Sequence, residues 1–237
     1  MTRFLPRSIA LLTALLSLPG AADEGAVSLD ELFAKVDAKA EGVRDLRAEF
    51  RQEKKMKIRR RPLISTGTLS VQKAAAGSRI CWESWEVDGE SGEKSSPQRL
   101  LVLGDEGLLV SWEVETLTGE RTDLGKGKLE VSEFLTIGGS LSGLKKSFTV
   151  SLKSEPKDGA GYVLALVPHS ERLKRLIETM ELEIDPKEWV VTRIRVADTA
   201  ATVTEIFLAK IEVNAGVDAE LFRVPADVKL TDVSLEK

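Results

Sequence analysis

The stretch MELEIDPKEWVVTRIRV, residues 180–196, contains two runs in which apolar and polar side chains alternate. Leu182 and Ile184 alternate with acidic residues, and Ile194 and Val196 alternate with arginines. A period of two places the apolar side chains on one face of a β-strand and the charged side chains on the other. Such strands are typical of an antiparallel sheet that has one covered face and one solvent-exposed face.

The same alternation recurs on both sides of this stretch. It covers residues 46–51, 108–115 and 147–153, and turn-forming residues separate the runs. Residues 161–168 are apolar in both phases, which indicates a strand that is covered on both sides. The sequence therefore predicts one large antiparallel sheet, and a sheet of this size curls. Its apolar face needs a cover, either helices or an apolar ligand.

Few segments have the period of a helix. Ser28 and Glu31 form a capping box ahead of an apolar stripe that contains Leu32, Phe33 and Val36. Residues 131–137 are best interpreted as a second, short helix over the sheet. The predicted fold class is mainly β, with a few short helices on one face.

The N-terminal residues have the pattern of a cleavable signal peptide. Arg3 and Arg7 precede an apolar run at residues 8–18, which is too short to span a bilayer, and small residues follow up to Ala22. We expect cleavage after Ala22, export from the cytoplasm, and a single domain over residues 23–237. Loss of the two arginines changes the formal charge from −4 to −6, which disfavours a general nucleic-acid-binding role.

No residue pattern predicts catalysis or a cofactor. The one histidine, His169, has no cysteine partner with which to build a zinc site. The one cysteine, Cys81, lies in a predicted strand beside Trp82 and is interpreted as a packed thiol. The abundant carboxylates fall mostly on the solvent-exposed phase of the strands. The sequence thus predicts a binding protein rather than an enzyme, with no metal and no cofactor.

Six basic residues lie close together in an otherwise acidic chain: Lys54, Lys55, Lys57, Arg59, Arg60 and Arg61. They have two interpretations. The cluster is either a solvated hairpin end or a docking patch for an acidic partner or anionic lipid headgroups.

The order of several short motifs resembles that of a known family. Phe50-x-Gln52 is followed by Gly67-x-Leu69, by Trp82-Glu83, by the apolar strand that ends at Pro168 and by Phe222-x-x-Pro225. As an ordered set over nearly the whole predicted mature chain, these motifs resemble the periplasmic outer-membrane lipoprotein carrier family, LolA.

The resemblance implies an unclosed antiparallel β-barrel whose open mouth is covered by short helices. It also implies a monomeric, non-enzymatic periplasmic carrier of lipoprotein acyl chains or a related lipid. An inner-membrane lipoprotein-releasing transporter would supply the cargo, and an outer-membrane acceptor would receive it. The alternative is a periplasmic module on the same fold that senses lipids or lipoproteins and regulates a partner.

The resemblance also assigns residues. The expected cavity is lined by Phe50, Leu69, Trp82, Val110, Trp112, Leu164, Leu166, Ile194 and Phe207 and is closed by a lid that contains Phe134, Leu135 and Ile137. Family members place an arginine ahead of the tryptophan strand that holds the lid shut, but the corresponding position here is Ala76. Arg79 is the candidate to replace it.

Overall fold

The computed structural model describes residues 27–74, 77–125, 140–157 and 159–234. The strands of this part of the chain are β1 Asp45–Met56, β2 Leu63–Ala74, β3 Gly77–Val87, β4 Gln98–Leu103, β5 Leu108–Glu113, β6 Thr118–Asp123, β7 Phe148–Ser154, β8 Tyr162–Pro168, β9 Ile177–Ile184, β10 Val191–Asp198, β11 Thr202–Val213 and β12 Lys229–Val233. The helices are α1 Leu29–Glu41 and α2 Glu171–Lys174, and 3-10 turns cover Ser142–Lys146 and Ala219–Phe222.

Helix α1 begins and ends as the sequence predicts. The Ser28 hydroxyl accepts a hydrogen bond from the Glu31 amide at 3.2 Å, and the Glu31 carboxylate accepts one from the Ser28 amide at 2.9 Å. These hydrogen bonds lower the pKa of Glu31, with the Ser28 backbone contact as the largest cause. Phe33 and Val36 are buried against the sheet, and Gly42 caps the C terminus. The capping box and the apolar stripe are both confirmed.

The twelve strands form one sheet in the order β12-β6-β5-β4-β3-β2-β1-β11-β10-β9-β8-β7. All neighbouring pairs are antiparallel except β12 and β6, which are parallel. Strand β1 lies in the interior of this order, between β2 and β11. The two end strands, β12 and β7, are not paired with each other in the described sheet, so it is open, as predicted.

The curl of the sheet has local causes along several strands. The pairing register shifts between Arg47 and Glu49 of β1 and between Leu152 and Ser154 of β7. A shift of this kind is a β-bulge, which bends the strand and increases its twist. Such bends let a large sheet wrap around α1 rather than extend as a flat layer.

The sheet buries residues on both of its faces. We call the face that packs against α1 the inner face; it carries Leu46, Ala48 and Phe50 of β1. The opposite, outer face is covered over β3–β5 by the C-terminal segment, residues 217–230. Phe222 lies at the centre of this second cluster and is 3% exposed. The sequence did not predict this second layer.

Strand β8 is only partly as predicted. Val163 and Leu164 are both buried although they point to opposite faces, which confirms a double cover over the first half of the strand. Val167, near the other end, is 48% exposed. The cover over the outer face therefore ends part of the way along β8.

Candidate functional site

The inner face is a continuous apolar surface that crosses the middle of the sheet. Its buried side chains come from β1–β4 and β7–β11 and form one cluster with α1 and the turn at residues 141–144. Because alternating positions of each strand face inward, neighbouring strands place their apolar side chains side by side. This surface is the largest apolar feature of the described chain and is the candidate site.

An aromatic pair links the buried part of the inner face to its border. The rings of Phe50 and Trp82 have centroids 4.0 Å apart and an interplanar angle of 36°. Phe50 pairs directly with Gly67 of β2. A Cβ at Gly67 would lie 2.8 Å from the Phe50 ring and 1.9 Å from the Glu83 carbonyl oxygen, so only glycine leaves room for this packing. The glycine-x-leucine motif therefore has a steric explanation.

Polar contacts fasten α1 over the inner face. Asp37 accepts a hydrogen bond from the Leu141 amide at 2.6 Å, and Lys39 forms an ion pair with Glu188 at 3.3 Å. The Lys145 ammonium lies 4.2 Å from the centre of the Phe33 ring. These contacts lie at the margin of the apolar cluster, so α1 combines an apolar underside with a hydrophilic border.

Most predicted cavity residues come together on this inner face. Phe50, Leu69, Leu164, Leu166 and Ile194 are buried in the cluster, and Trp82 is half-buried at its border. The strand register explains the grouping, since β-pairing places Leu69 opposite Trp82 and Leu164 opposite Leu182. Their role in ligand binding stays a proposal.

The structure separates three predicted cavity residues from this group. Val110 and Trp112 are buried in the outer-face cluster beneath the C-terminal segment. Phe207 lies on the outer face of β11 opposite Arg193 and is 38% exposed. The alternation in β5 was predicted correctly, but its apolar phase faces outward because residues 217–230 bury that side. These three residues are therefore placed outside the candidate site.

Several half-buried residues of the inner face were missed, among them Leu100, Leu109, Val150 and Val196. They lie at the border of the cluster, where the cover by α1 is incomplete. Leu100 pairs with Trp82, and Leu109 pairs with Val102. The strand register identifies these residues, because residues paired directly with an inward-facing side chain such as Trp82 also face inward. The sequence alone does not give the register.

The predicted lid and latch have different outcomes. Phe134, Leu135 and Ile137 lie outside the described residues. Arg79 lies on the outer phase of β3, where its guanidinium contacts Asp105 through Nε at 3.1 Å and Nη2 at 2.6 Å. This contact joins β3 to the turn between β4 and β5 and lowers the pKa of Asp105, with the Arg79 hydrogen bond as the largest cause. A latching role for Arg79 stays a prediction. In the structure, the Arg79 side chain stabilises this turn.

The Asp105 contact predicts a pH-dependent contribution to stability. Asp105→Asn should lower the free energy of unfolding by about 1 kcal/mol at neutral pH, as expected for a partly exposed bidentate pair. Because the pKa is lowered in the folded state, the contribution is present above the ordinary aspartate pKa of about 3.9. It should disappear as the pH falls through the lower folded value. Urea unfolding of both proteins across this pH range measures the difference.

Glu106→Gln is the control for the Asp105 variant. Glu106 lies 3.8 Å from the same guanidinium but is half exposed, so its substitution should change stability by less than about 0.5 kcal/mol. An equal loss in the two variants, or a difference that persists in acid, would show that the bidentate contact is not the cause.

The described residues offer few reactive groups. Cys81 is 4% exposed in the outer-face cluster, and burial raises its pKa to about 11. Its thiol is therefore protonated at neutral pH, as expected for a packed cysteine. Within the described ranges, no group of three or more His, Cys, Asp or Glu side chains could hold a metal ion.

Comparisons with known proteins agree with the resemblance seen in the sequence. The family described as outer membrane lipoprotein carrier protein LolA matches residues 41–225, which is more than half of the chain. The search of curated proteins finds no match. The match begins at the end of α1 and extends past Phe222, so it contains the whole inner face of the sheet.

Several solved structures match most of the chain at low sequence identity. A DUF1329 family protein from Desulfovibrio piger is 10% identical, with a TM-score of 0.44, and the match covers 81% of this chain and 95% of that one. A LolA superfamily protein from Nitrosomonas europaea is 12% identical, with a TM-score of 0.37 and coverages of 84% and 98%. The complex of MucA and MucB from Pseudomonas aeruginosa gives 13% identity, a TM-score of 0.42 and coverages of 85% and 62%.

No helix within the described ranges is both long enough and apolar enough to span a membrane. Helix α1, the longest, spans Leu29–Glu41 and carries charged residues along its exposed side.

Proposed function

The chain belongs to the outer membrane lipoprotein carrier protein LolA family, and from this membership we propose that it is a periplasmic carrier of lipoprotein acyl chains or a related lipid. It takes its cargo from an inner-membrane transporter, crosses the periplasm and delivers the cargo to an acceptor at the outer membrane. The signal peptide predicted at residues 1–22 would provide the export that this role requires. The proposed function makes and breaks no covalent bond.

The observation that supports this proposal best is the continuous apolar inner face across β1–β4 and β7–β11. Each methylene of an acyl chain that leaves water contributes about 0.8 kcal/mol. About ten methylenes moved from water onto this surface therefore contribute about 8 kcal/mol, the free energy of a micromolar complex. No hydrogen bonds of special geometry are needed, which agrees with a site made of aliphatic and aromatic side chains.

The border of the inner face is where we expect the acyl chain to enter. Residues at the centre of the inner face such as Leu69 and Leu164 are fully buried, so cargo reaches them only if the segments packed over them move. Trp82, Leu100 and Val196 are half-buried at the border and remain accessible. The polar contacts at the margin of α1 are individually weak, so its buried apolar side chains hold it over the sheet, and an acyl chain that replaced them would keep the inner face covered. The carrier would thus bind at the border first and admit more of the chain by displacing α1.

A charge on the inner border should weaken lipid binding. Val196→Glu places a carboxylate where the acyl chain is proposed to lie, and burial of an unpaired charge is unfavourable. We expect affinity for a fluorescent fatty-acyl probe to fall by about tenfold or more, which corresponds to about 1.4 kcal/mol. Mass spectrometry of organic extracts from periplasmic preparations should show the same loss of copurifying lipid.

Phe207→Glu is the matched control for this experiment. Phe207 is also a partly exposed hydrophobic residue on a neighbouring strand, but it lies on the outer face. We expect it to bind the probe as the wild type does. Equal binding by Val196→Glu and wild type, or a loss confined to Phe207→Glu, would contradict the proposed site. A wild-type protein that carries no lipid and binds no probe would overturn the carrier function itself.

Depletion in cells separates the carrier from the sensing module. Loss of a carrier should leave lipoproteins in the inner membrane, and the purified protein should release them from spheroplasts. Normal lipoprotein sorting after depletion, together with lipid binding in vitro, would instead favour the regulatory alternative.

A further inference from the structure

The turn between β1 and β2 carries an isolated apolar side chain among bases. We call residues 57–62 the tip; they read Lys-Ile-Arg-Arg-Arg-Pro and contain no acid. Every residue of the tip is exposed, and Ile58 is 91% exposed, the highest value among the large hydrophobic residues of the described chain. Hydrophobic packing within this protein does not account for Ile58 at that position.

The structure divides the six clustered bases into groups with different surroundings. Lys55 pairs with Glu205 at 3.0 Å, and Arg61 pairs with Glu90 at 2.8 Å, so both are locally neutralised. The other four, Lys54, Lys57, Arg59 and Arg60, form no ion pair with any described residue. The unpaired charges therefore flank Ile58 on both sides. A cleft of about 620 Å³ lies between the tip and the acidic loop at residues 86–95.

A second exposed apolar residue beside a base lies at the same end of the sheet. Strands β1 and β8 run in the same direction, so the tip and the β8–β9 connection, residues 169–176, emerge on one side. Leu176 in that connection is 57% exposed, and its neighbour Arg175 is exposed as well. The two connections are separated by three strand spacings, which is about 14 Å in a flat sheet.

We propose that this end of the molecule docks on an anionic bilayer surface, with Ile58 inserted among the lipid headgroups and Lys57, Arg59 and Arg60 in contact with their phosphates. This inference rests on the proposed function, since a lipid carrier must meet a membrane or a complex embedded in one. An exposed aliphatic residue between bases favours a bilayer over an acidic protein: the aliphatic group enters the acyl boundary while the bases remain in the phosphate layer.

The rest of the charge distribution supports a docking mode confined to this end. The whole chain has a formal net charge of −4, so an anionic membrane repels it on average. Attraction is therefore limited to the exposed bases of the tip, is opposed by the acidic loop at residues 86–95 beside them, and fades within about a Debye length, about 8 Å at physiological salt. Such docking is reversible and orients the molecule, as a shuttling carrier needs.

Vesicle sedimentation tests the proposal. The probes are vesicles of phosphatidylcholine alone and of phosphatidylcholine mixed with phosphatidylglycerol, at low and high salt. Wild type should bind the mixed vesicles, bind the neutral ones weakly, and lose binding as salt rises. The double variant Arg59→Gln/Arg60→Gln should bind the mixed vesicles about 25-fold more weakly, at about fivefold for each base. Ile58→Ser should weaken binding by about tenfold.

Controls lie at the opposite end of the sheet. Lys157→Gln/Lys187→Gln removes two exposed bases there that form no ion pair with a described residue, and Val233→Ser removes a partly exposed apolar side chain. Neither control variant should change vesicle binding. Every protein carries the same N terminus, so any contribution of that segment cancels, and circular dichroism checks that each variant is folded.

Vesicle binding tests the membrane-docking proposal, and acyl-probe binding tests the carrier function. Tip variants that bind mixed vesicles as wild type does, or a wild type that does not prefer them to neutral vesicles, would overturn membrane docking. If the wild type does not bind vesicles but binds an acidic protein through Arg59 and Arg60, membrane docking is overturned in favour of a protein partner. Acyl-probe binding should be normal in the tip variants. Its absence in wild type would instead remove the carrier function and leave the docking result intact.

Discussion

Phe222→Ala should lower the free energy of unfolding by about 3 to 5 kcal/mol, the usual cost of truncating a buried phenylalanine. Phe222 is 3% exposed and packs with Leu101, Val110 and Trp112 on the outer face. Its loss leaves a cavity between the sheet and the C-terminal segment. Because domains of this kind are stable by only about 5 to 15 kcal/mol, the effect is a large fraction of the total. Urea unfolding followed by tryptophan fluorescence measures it.

The comparison for this variant is Phe207→Ala. Phe207 is the same residue type on the same face of the sheet but is 38% exposed, so its truncation should cost less than about 1.5 kcal/mol. Similar losses at the two positions would mean that the C-terminal segment does not depend on Phe222. The acyl probe should still bind to folded Phe222→Ala, because the variant leaves the inner face unchanged.

Gly67→Ala should also destabilise the protein, by about 3 kcal/mol or more, although it adds only one methyl group. An added Cβ would lie 1.9 Å from the Glu83 carbonyl oxygen and 2.8 Å from the Phe50 ring. Neither a strand backbone nor a ring in a packed cluster can yield easily, so the strand pair or the aromatic pair must move. Thermal or urea unfolding should show the loss.

Gly89→Ala is the control for the Gly67 variant. No heavy atom lies within 4 Å of a Cβ at Gly89, and we expect a change within about 0.5 kcal/mol. Near-ultraviolet circular dichroism should change for Gly67→Ala, because the geometry of Phe50 and Trp82 depends on the space at Gly67. Wild-type stability of Gly67→Ala would show that β2 and β3 can separate at no cost at this point.

Local features of the chain could be predicted because their causes are local. The capping box at Ser28 and Glu31 needs only residues three positions apart, and it is present in the structure. The alternation in residues 180–196 reflects the pleat of a strand and predicted β9 and β10 correctly. The turn chemistry and motif order likewise supported an open, mainly β fold before any tertiary contact was known.

The basic cluster shows where local reasoning stopped. Its six members were visible in the sequence as one group, yet Lys55 and Arg61 are paired with Glu205 and Glu90. These partners lie far away along the chain, and only the pairing of β1 with β11 and the return of the β3–β4 loop bring them close. The sequence also does not show that Ile58, among the remaining bases, is exposed, because exposure depends on the tertiary structure.

The sequence by itself determined that this protein is a curled, mainly β molecule with one-sided strands and a capped helix, and it contained the motifs of its family. It could not determine which side of each strand faces the helix. Val110 and Trp112 alternate as regularly as Leu182 and Ile184, but the C-terminal segment, about a hundred residues further along, covers the first pair on the outer face. Alternation defines two faces of a strand, and only long-range packing decides which of them forms the proposed site.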